Sequence, residues 1–110
     1  MSPPGKLFEH EQTGDTLAIR PVADLGEFAF EQIEVEVTEL LKLLDDPGIR
    51  NVVVDFHRCA YFGSSAMGAL IRIARVVRAR GGEMVVSNLS ECGRELLDIA
   101  FRHRLMTERN

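Results

Sequence analysis

Two adjacent hydroxyls, Ser64 and Ser65, are the side chains of this 110-residue chain best placed to do chemistry. They follow Gly63 and stand between an apolar run, Val52 to Val54, and an amphipathic stretch that stops at Gly81 and Gly82. Strand, tight turn and helix start are the structure this pattern predicts. The backbone N–H groups of a helix start are unpaired and its dipole end is positive. A serine there has two uses. It can cap the helix by accepting from first-turn N–H groups, the commoner use. It can also carry a phosphate, because a helix N-terminus is a natural anion site. Met67 stands where a capping box needs Glu or Gln. The small neighbours Gly63, Ala66 and Gly68 leave the hydroxyls unshielded. A phosphate would add about −1.5 to −2 charges to that surface. A partner held there by shape and apolar contact would be displaced.

Other chemistry is sparse. His57 and Cys59 suggest a thiol–imidazole pair, but no third group that would orient the imidazole is evident. A small buried Cys59 is the simpler expectation. His10, His57 and His103 share no metal-ligand spacing with Cys or Asp, and no cofactor is expected. The sequence contains no GxxxxGK[ST] loop, GxGxxG, HExxH or GxSxG. A binding module is expected, not an enzyme.

The length suits one domain over residues 1–110. Hydrophobic residues make up 45% and charged residues 27%, which is ordinary for a globular protein. A net charge of −4 argues against a general nucleic-acid binder, which needs a basic surface. Cys59 and Cys92 form no CxxC pair, so reduced thiols are expected. The N-terminal residues carry no signal-like apolar core, and no apolar run approaches the roughly 20 residues of a membrane helix. A cytoplasmic protein without direct membrane insertion is the resulting expectation. Residues 1–6 and 108–110 are expected to be loose.

The elements that must position the serines follow in order. Leu7 to Gln12 and Thr16 to Pro21 flank Thr13-Gly14-Asp15 and predict a hairpin. Val22 to Glu27 is a connection. A helix is predicted over Phe28 to Leu44, with Phe30, Ile33, Val37, Leu40, Leu41 and Leu44 inward. Its acids Glu31, Glu34, Glu36 and Glu39 are expected on a solvated surface. Asn51 to Phe56 reads as a strand buried on both faces. A second helix is predicted from Ser64 to Arg80, with Met67, Leu70, Ile71, Ala74 and Val77 inward and Arg72, Arg75 and Arg78 outward. Glu83 to Ser87 is another strand. Ser90 caps a third helix to Phe101, with Cys92, Leu96, Leu97, Ala100 and Phe101 inward and Gly93 at a close approach. Leu105 to Thr107 can add a last strand. The order is β-β-α-β-α-β-α(-β): an α/β domain with a mixed four- or five-stranded sheet and about three main helices.

The stretch VVVDFHRCAYFGSSAMGALIRIARVVRARGGEMVVSNLSECGRELLDIAF resembles the core of the STAS domain of anti-sigma factor antagonists (anti-anti-sigma factors). That family reads D-h-x-x-h-x-F/Y-h-D-S-S/T-G-L/M-G at this place. Asp55, Phe62, Ser64, Ser65, Met67 and Gly68 fall on the pattern, followed by Gly81-Gly82 and Leu96-Leu97. The resemblance implies a STAS-like fold and a phosphorylatable Ser64, with Ser65 as the alternate. It implies a GHKL-type serine kinase that is also an anti-sigma factor as partner. Unphosphorylated antagonist binds that kinase and frees the sigma factor; the phosphorylated form lets go. The expected partner surface is Gly63, Ser64, Ser65, Ala66 and Met67, with Gly26 and Glu27 beside it. A monomer is expected, with a homodimer as the alternative. Three residues depart from the pattern: Gly63 replaces an acid, Ala66 a glycine, and Ala29 the Asp of a Gly-Glu-h-Asp segment. These departures suit a second reading, an unphosphorylated STAS subunit serving as a scaffold or as the small cytoplasmic subunit of a lipid-transport complex.

Overall fold

In β3, Asn51–Asp55, every second residue is an apolar side chain with no exposure, Val52 and Val54, and this strand lies at the centre of the sheet. The structure is a computed structural model and describes residues 6–26 and 29–109. Around β3 the elements follow as β1 Phe8–Thr13, β2 Thr16–Pro21, α1 Phe30–Leu43, α2 Ser64–Ala79, β4 Met84–Ser87, α3 Glu91–Leu96, α4 Asp98–Arg102 and β5 Thr107–Arg109. The sheet order is β1-β2-β3-β4-β5. The hairpin pair β1–β2 is antiparallel and the other pairs are parallel. This is the mixed α/β sheet that the strand–helix alternation predicts.

Register explains the core. Leu17, Val52 and Met84 form one row across β2, β3 and β4, and Ile19, Val54 and Val86 form the next. All six are buried, and they join one cluster with Ile33, Val37 and Leu40 of α1 and Leu70, Ile73 and Val77 of α2. The opposite face carries Ala18, Val53 and Val85, which are only half-buried. The valine run is therefore covered unevenly and not equally on both faces, as a side-chain period of two allows.

Two expectations for α1 need correction. Phe30 is 51% exposed, and Glu36 is buried at 7%. At about 100° per residue the buried arc runs from Glu36 through Leu40, Ile33 and Leu44 to Val37, which leaves Phe30 on its margin at the first helical residue. A buried carboxylate needs donors. Glu36 accepts from the N–H groups of Leu7 (2.9 and 3.0 Å) and Phe8 (3.0 Å) and from Gln32 Nε2 (2.9 Å). It straps the start of the edge strand to the helix. Helix α1 was expected to begin at Phe28; Glu27 and Phe28 lie outside the described residues.

The third predicted helix is two short ones, α3 and α4, broken at Leu97. Ser90 caps α3 as expected: its Oγ accepts from Gly93 N at 3.1 Å. Gly93 is the inward residue of the first turn, so Cys92, about 100° away, is exposed and does not extend the core face. Residues 108 and 109 are not loose. They pair in β5 with Val86 and Ser87, and Glu108 takes a two-pronged ion pair from Arg94 at 2.7 to 3.0 Å.

Candidate functional site

The candidate site is the loop from Phe56 to Gly63 and the first turn of α2. Phe56 stays in step with the sheet by donating from its N–H to Ser87 O at 3.0 Å. A turn follows, closed by Cys59 N to Phe56 O at 2.9 Å. Phe62 folds back and stacks on Phe56, with ring centroids 5.0 Å apart and planes at 29°. Both rings are buried, which anchors the loop by its aromatic ends.

Three further elements hold the loop. Asp24 Oδ1 accepts from Ala60 N (2.9 Å) and Tyr61 N (3.2 Å). Leu25 N donates to Tyr61 O (2.9 Å), and Gly63 N donates to Leu25 O (3.0 Å), which makes a one-residue parallel bridge between Leu25 and Phe62. Ser90 Oγ donates to Ala60 O at 2.6 Å. Gly93 passes beneath Phe62, so close that a Cβ there would lie 2.9 Å from Phe62 Cε1. Gly26, expected beside the serine loop, follows Leu25, whose N–H and carbonyl are both bonded to that loop. Asp24 and Ser90 were not recognised as loop anchors, because their partners lie 36 and 30 residues away in the chain.

Neither serine is a cap. Gly63 is the N-cap, with an extended backbone and no side-chain bond, and Ser64 is the first helical residue. Among the described residues neither Ser64 nor Ser65 has a side-chain hydrogen-bond partner. Ser64 is exposed, Ser65 and Met67 are half-buried, and Ala66 is buried. Ala66 therefore supports the expected partner surface from beneath and is not part of it. It lies in a right-handed helix, so the flexibility of a glycine is not used there. The N–H groups of Ser64, Ser65 and Ala66 precede the first intrahelical bond, Met67 N to Gly63 O. Gly63 has φ −95°, a conformation open to any residue.

Ser64 opens onto a groove of about 420 Å3. Tyr61, Gly63 and Ser64 line one part, and Cys92, Glu95 and Leu96 of α3 another. Tyr61 is 45% exposed. An exposed aromatic three residues before Ser64 is the signal from which this groove could have been read; α3 offered no comparable one.

The thiol–imidazole pair does not form. Cys59 is 2% exposed, its Sγ donates to Tyr61 O at 3.2 Å, and burial pushes the thiol up, which disfavours the nucleophilic thiolate. His57 is exposed and turns to Asp55, with Nδ1 3.1 Å from Oδ2. Asp55 also accepts from His57 N (3.0 Å) and Asn88 Nδ2 (2.8 Å). Burial raises the Asp55 carboxyl, but the bonds from Asn88 and His57, with the charge of His57, outweigh it and hold the carboxyl below its ordinary 3.8. A lowered folded value stabilises the fold above the unfolded value and is lost as pH falls through the folded one. The Tm gap between wild type and Asp55→Ala is thus expected to be full above about pH 5 and to close below about pH 4. Thermal melts across that range check this.

Fold and loop together define an α/β domain that presents an exposed serine, its hydroxyl free of capping bonds, at a helix start beside a groove. The STAS domain profile matches residues 8–107, and the chain belongs to that family. Solved structures that share its fold include two of the anti-sigma factor antagonist SpoIIAA. The unphosphorylated form is 21% identical, with a TM-score of 0.72 over 94% of this chain and 87% of that one. The phosphorylated form, described as a Bacillus cell fate determinant, is 22% identical, with a TM-score of 0.70 over 94% and 91%. Among the described residues no helix is long and apolar enough to cross a membrane.

Proposed function

We propose that this domain is an anti-sigma factor antagonist whose binding is switched at Ser64. Its partner is a GHKL-type serine kinase that doubles as an anti-sigma factor, and both act in the cytoplasm. The observation that carries this reading is the state of Ser64: exposed, uncapped, free of side-chain bonds, and first in a helix. A phosphate on its Oγ would meet the free N–H groups of the first turn, so the modified fold would be stable. The same phosphate would place about −1.5 to −2 charges at the groove. A partner seated over Tyr61 and Ser64 would have to bury that charge, which is costly without a matching cation. Release follows with no movement inside the domain.

The test is direct. The domain is incubated with ATP and the GHKL-type kinase of its host, and the phosphate is mapped. Ser64 is the expected site. Ser64→Asp is expected to weaken kinase binding more than tenfold, and Ser64→Ala to keep it. Equal binding by wild type and Ser64→Asp would sink the switch.

Gly63 favours a second reading, since no acid stands beside the acceptor. In it the domain is a constitutive STAS subunit, a scaffold or the cytoplasmic subunit of a lipid transporter. No phosphate on Ser64 or Ser65, together with copurification with a membrane ATPase, would select it. The backbone angles of Gly63 are open to any residue, and Gly63→Asp would then be the variant expected to introduce phosphorylation.

A further inference from the structure

Gly68 sits in the second turn of α2, and nothing inside the fold calls for a glycine there. Its φ lies outside the left-handed region, it is exposed, and an added Cβ would meet no atom within 4 Å. A glycine inside a helix is nevertheless a far poorer helix former than alanine. The missing side chain leaves a bare strip of helix backbone one turn from Ser64.

The same side of α2 carries charge of one sign. At about 100° per residue, Ser64, Gly68, Arg72, Arg75 and Ala79 fall within about 80° of each other, and all five are exposed. Arg78 flanks this stripe. Helix α2 contains three arginines and no acid, although the chain as a whole carries −4. Arg72 is held by Glu34 of α1 at 3.1 Å. Among the described residues Arg75 and Arg78 have no side-chain bond or ion pair. The basic side chains start two turns beyond Ser64, just past the bare strip.

We infer that the partner lays an acidic protein segment along α2, with its backbone seated over Gly68 and its carboxylates against Arg75 and Arg78. Each observation selects part of that occupant. The basic stripe selects an acidic surface. The absent Cβ selects a closely approaching protein backbone, because a lipid headgroup needs no such clearance. The inference rests on the antagonist reading above and names the partner element that this reading leaves open.

The test uses the purified host kinase as probe and four variants of the full chain: Gly68→Ala, Gly68→Gln, the double Arg75→Glu/Arg78→Glu, and Ser64→Asp. Both Gly68 variants are expected to raise Tm by a few degrees, since each is a better helix former. Both are expected to weaken kinase binding, Gly68→Ala about fivefold and Gly68→Gln more. The arginine double variant is expected to bind more than tenfold more weakly, with a shallower dependence on salt. Kinase binding unchanged in the Gly68 and arginine variants, but lost in Ser64→Asp, would overturn this inference and leave the switch standing. A lowered Tm in Gly68→Ala would overturn it too, by showing that the fold itself requires the glycine. Phosphatidylglycerol vesicles bound equally by wild type and Gly68→Ala, and lost only with the arginines, would replace the acidic segment by a membrane surface. No kinase binding by the wild type would remove both readings.

Discussion

Gly82→Ala is expected to destabilise the domain by about 3 kcal/mol or more, the upper end for overpacking. A Cβ on Gly82 would overlap the carbonyl oxygen of Arg50 and lie 2.8 Å from its carbonyl carbon, with Val77 Cγ1 at 3.1 Å on another side. A side chain in the way could rotate, but a carbonyl cannot. Both chain segments are also pinned. Arg50 N and Asn51 N donate to Asp15 O at 2.7 and 3.0 Å, Val52 N donates to Glu83 O at 3.0 Å, and Glu83 N donates to Asn51 Oδ1 at 2.9 Å. Relief would mean breaking the first rungs of the β3–β4 ladder. Domains of this size have only about 5–15 kcal/mol to lose, so Tm should fall by on the order of 15 °C. Gly81→Ala is the control. Gly81 has φ +78°, but an added Cβ there would meet only Arg50 Nη2, at an ordinary contact distance of 3.8 Å, so only the left-handed penalty of roughly 1–2 kcal/mol applies. Urea denaturation of the two variants side by side checks the order; equal midpoints would refute the close approach at Gly82.

Phe62→Ala is expected to remove about 3–5 kcal/mol of folding free energy, as large-to-small changes of buried aromatics do. Phe62 is fully enclosed by its stack on Phe56, by the bridge to Leu25, and by Gly93. Truncation empties that space, and the loop cannot collapse into it, because Asp24 and Ser90 hold the loop by its backbone. Unlike Gly82, Phe62 lies next to Gly63 and Ser64, so the site should loosen along with the fold. Limited proteolysis should then cut within residues 57–63 at temperatures where wild type is resistant. Phe62→Leu, which refills part of the space, should lie between the two in urea midpoint and in protease resistance. A protease-resistant loop in Phe62→Ala would show that the backbone anchors alone position Ser64.

Local pattern carried most of the architecture. The alternation in TLAIRP, the double glycine after the arginine-rich helix, and Ser90 ahead of α3 each place an element to within a residue or two. Such signals survive because strand and helix periods are written in neighbours two to four positions apart. The break at Leu97 was not legible, since Leu96, Leu97, Ala100 and Phe101 keep a helical spacing across it.

The order of elements as far as α3, the mixed sheet, and Ser64 at the start of a helix are all written in local sequence pattern. How Glu36, Ser64 and the two cysteines are used follows only from packing. Glu36 reads as one more surface acid until the N–H groups of Leu7 and Phe8, 29 and 28 residues away, close over it. Ser64 reads as a cap until Leu25 draws Gly63 into the N-cap position and leaves the hydroxyl free. Cys59 and Cys92 read alike until packing buries one and opens the other onto the groove. Each of these outcomes depends on a partner remote in the chain, and one residue's type and neighbours carry no record of that partner.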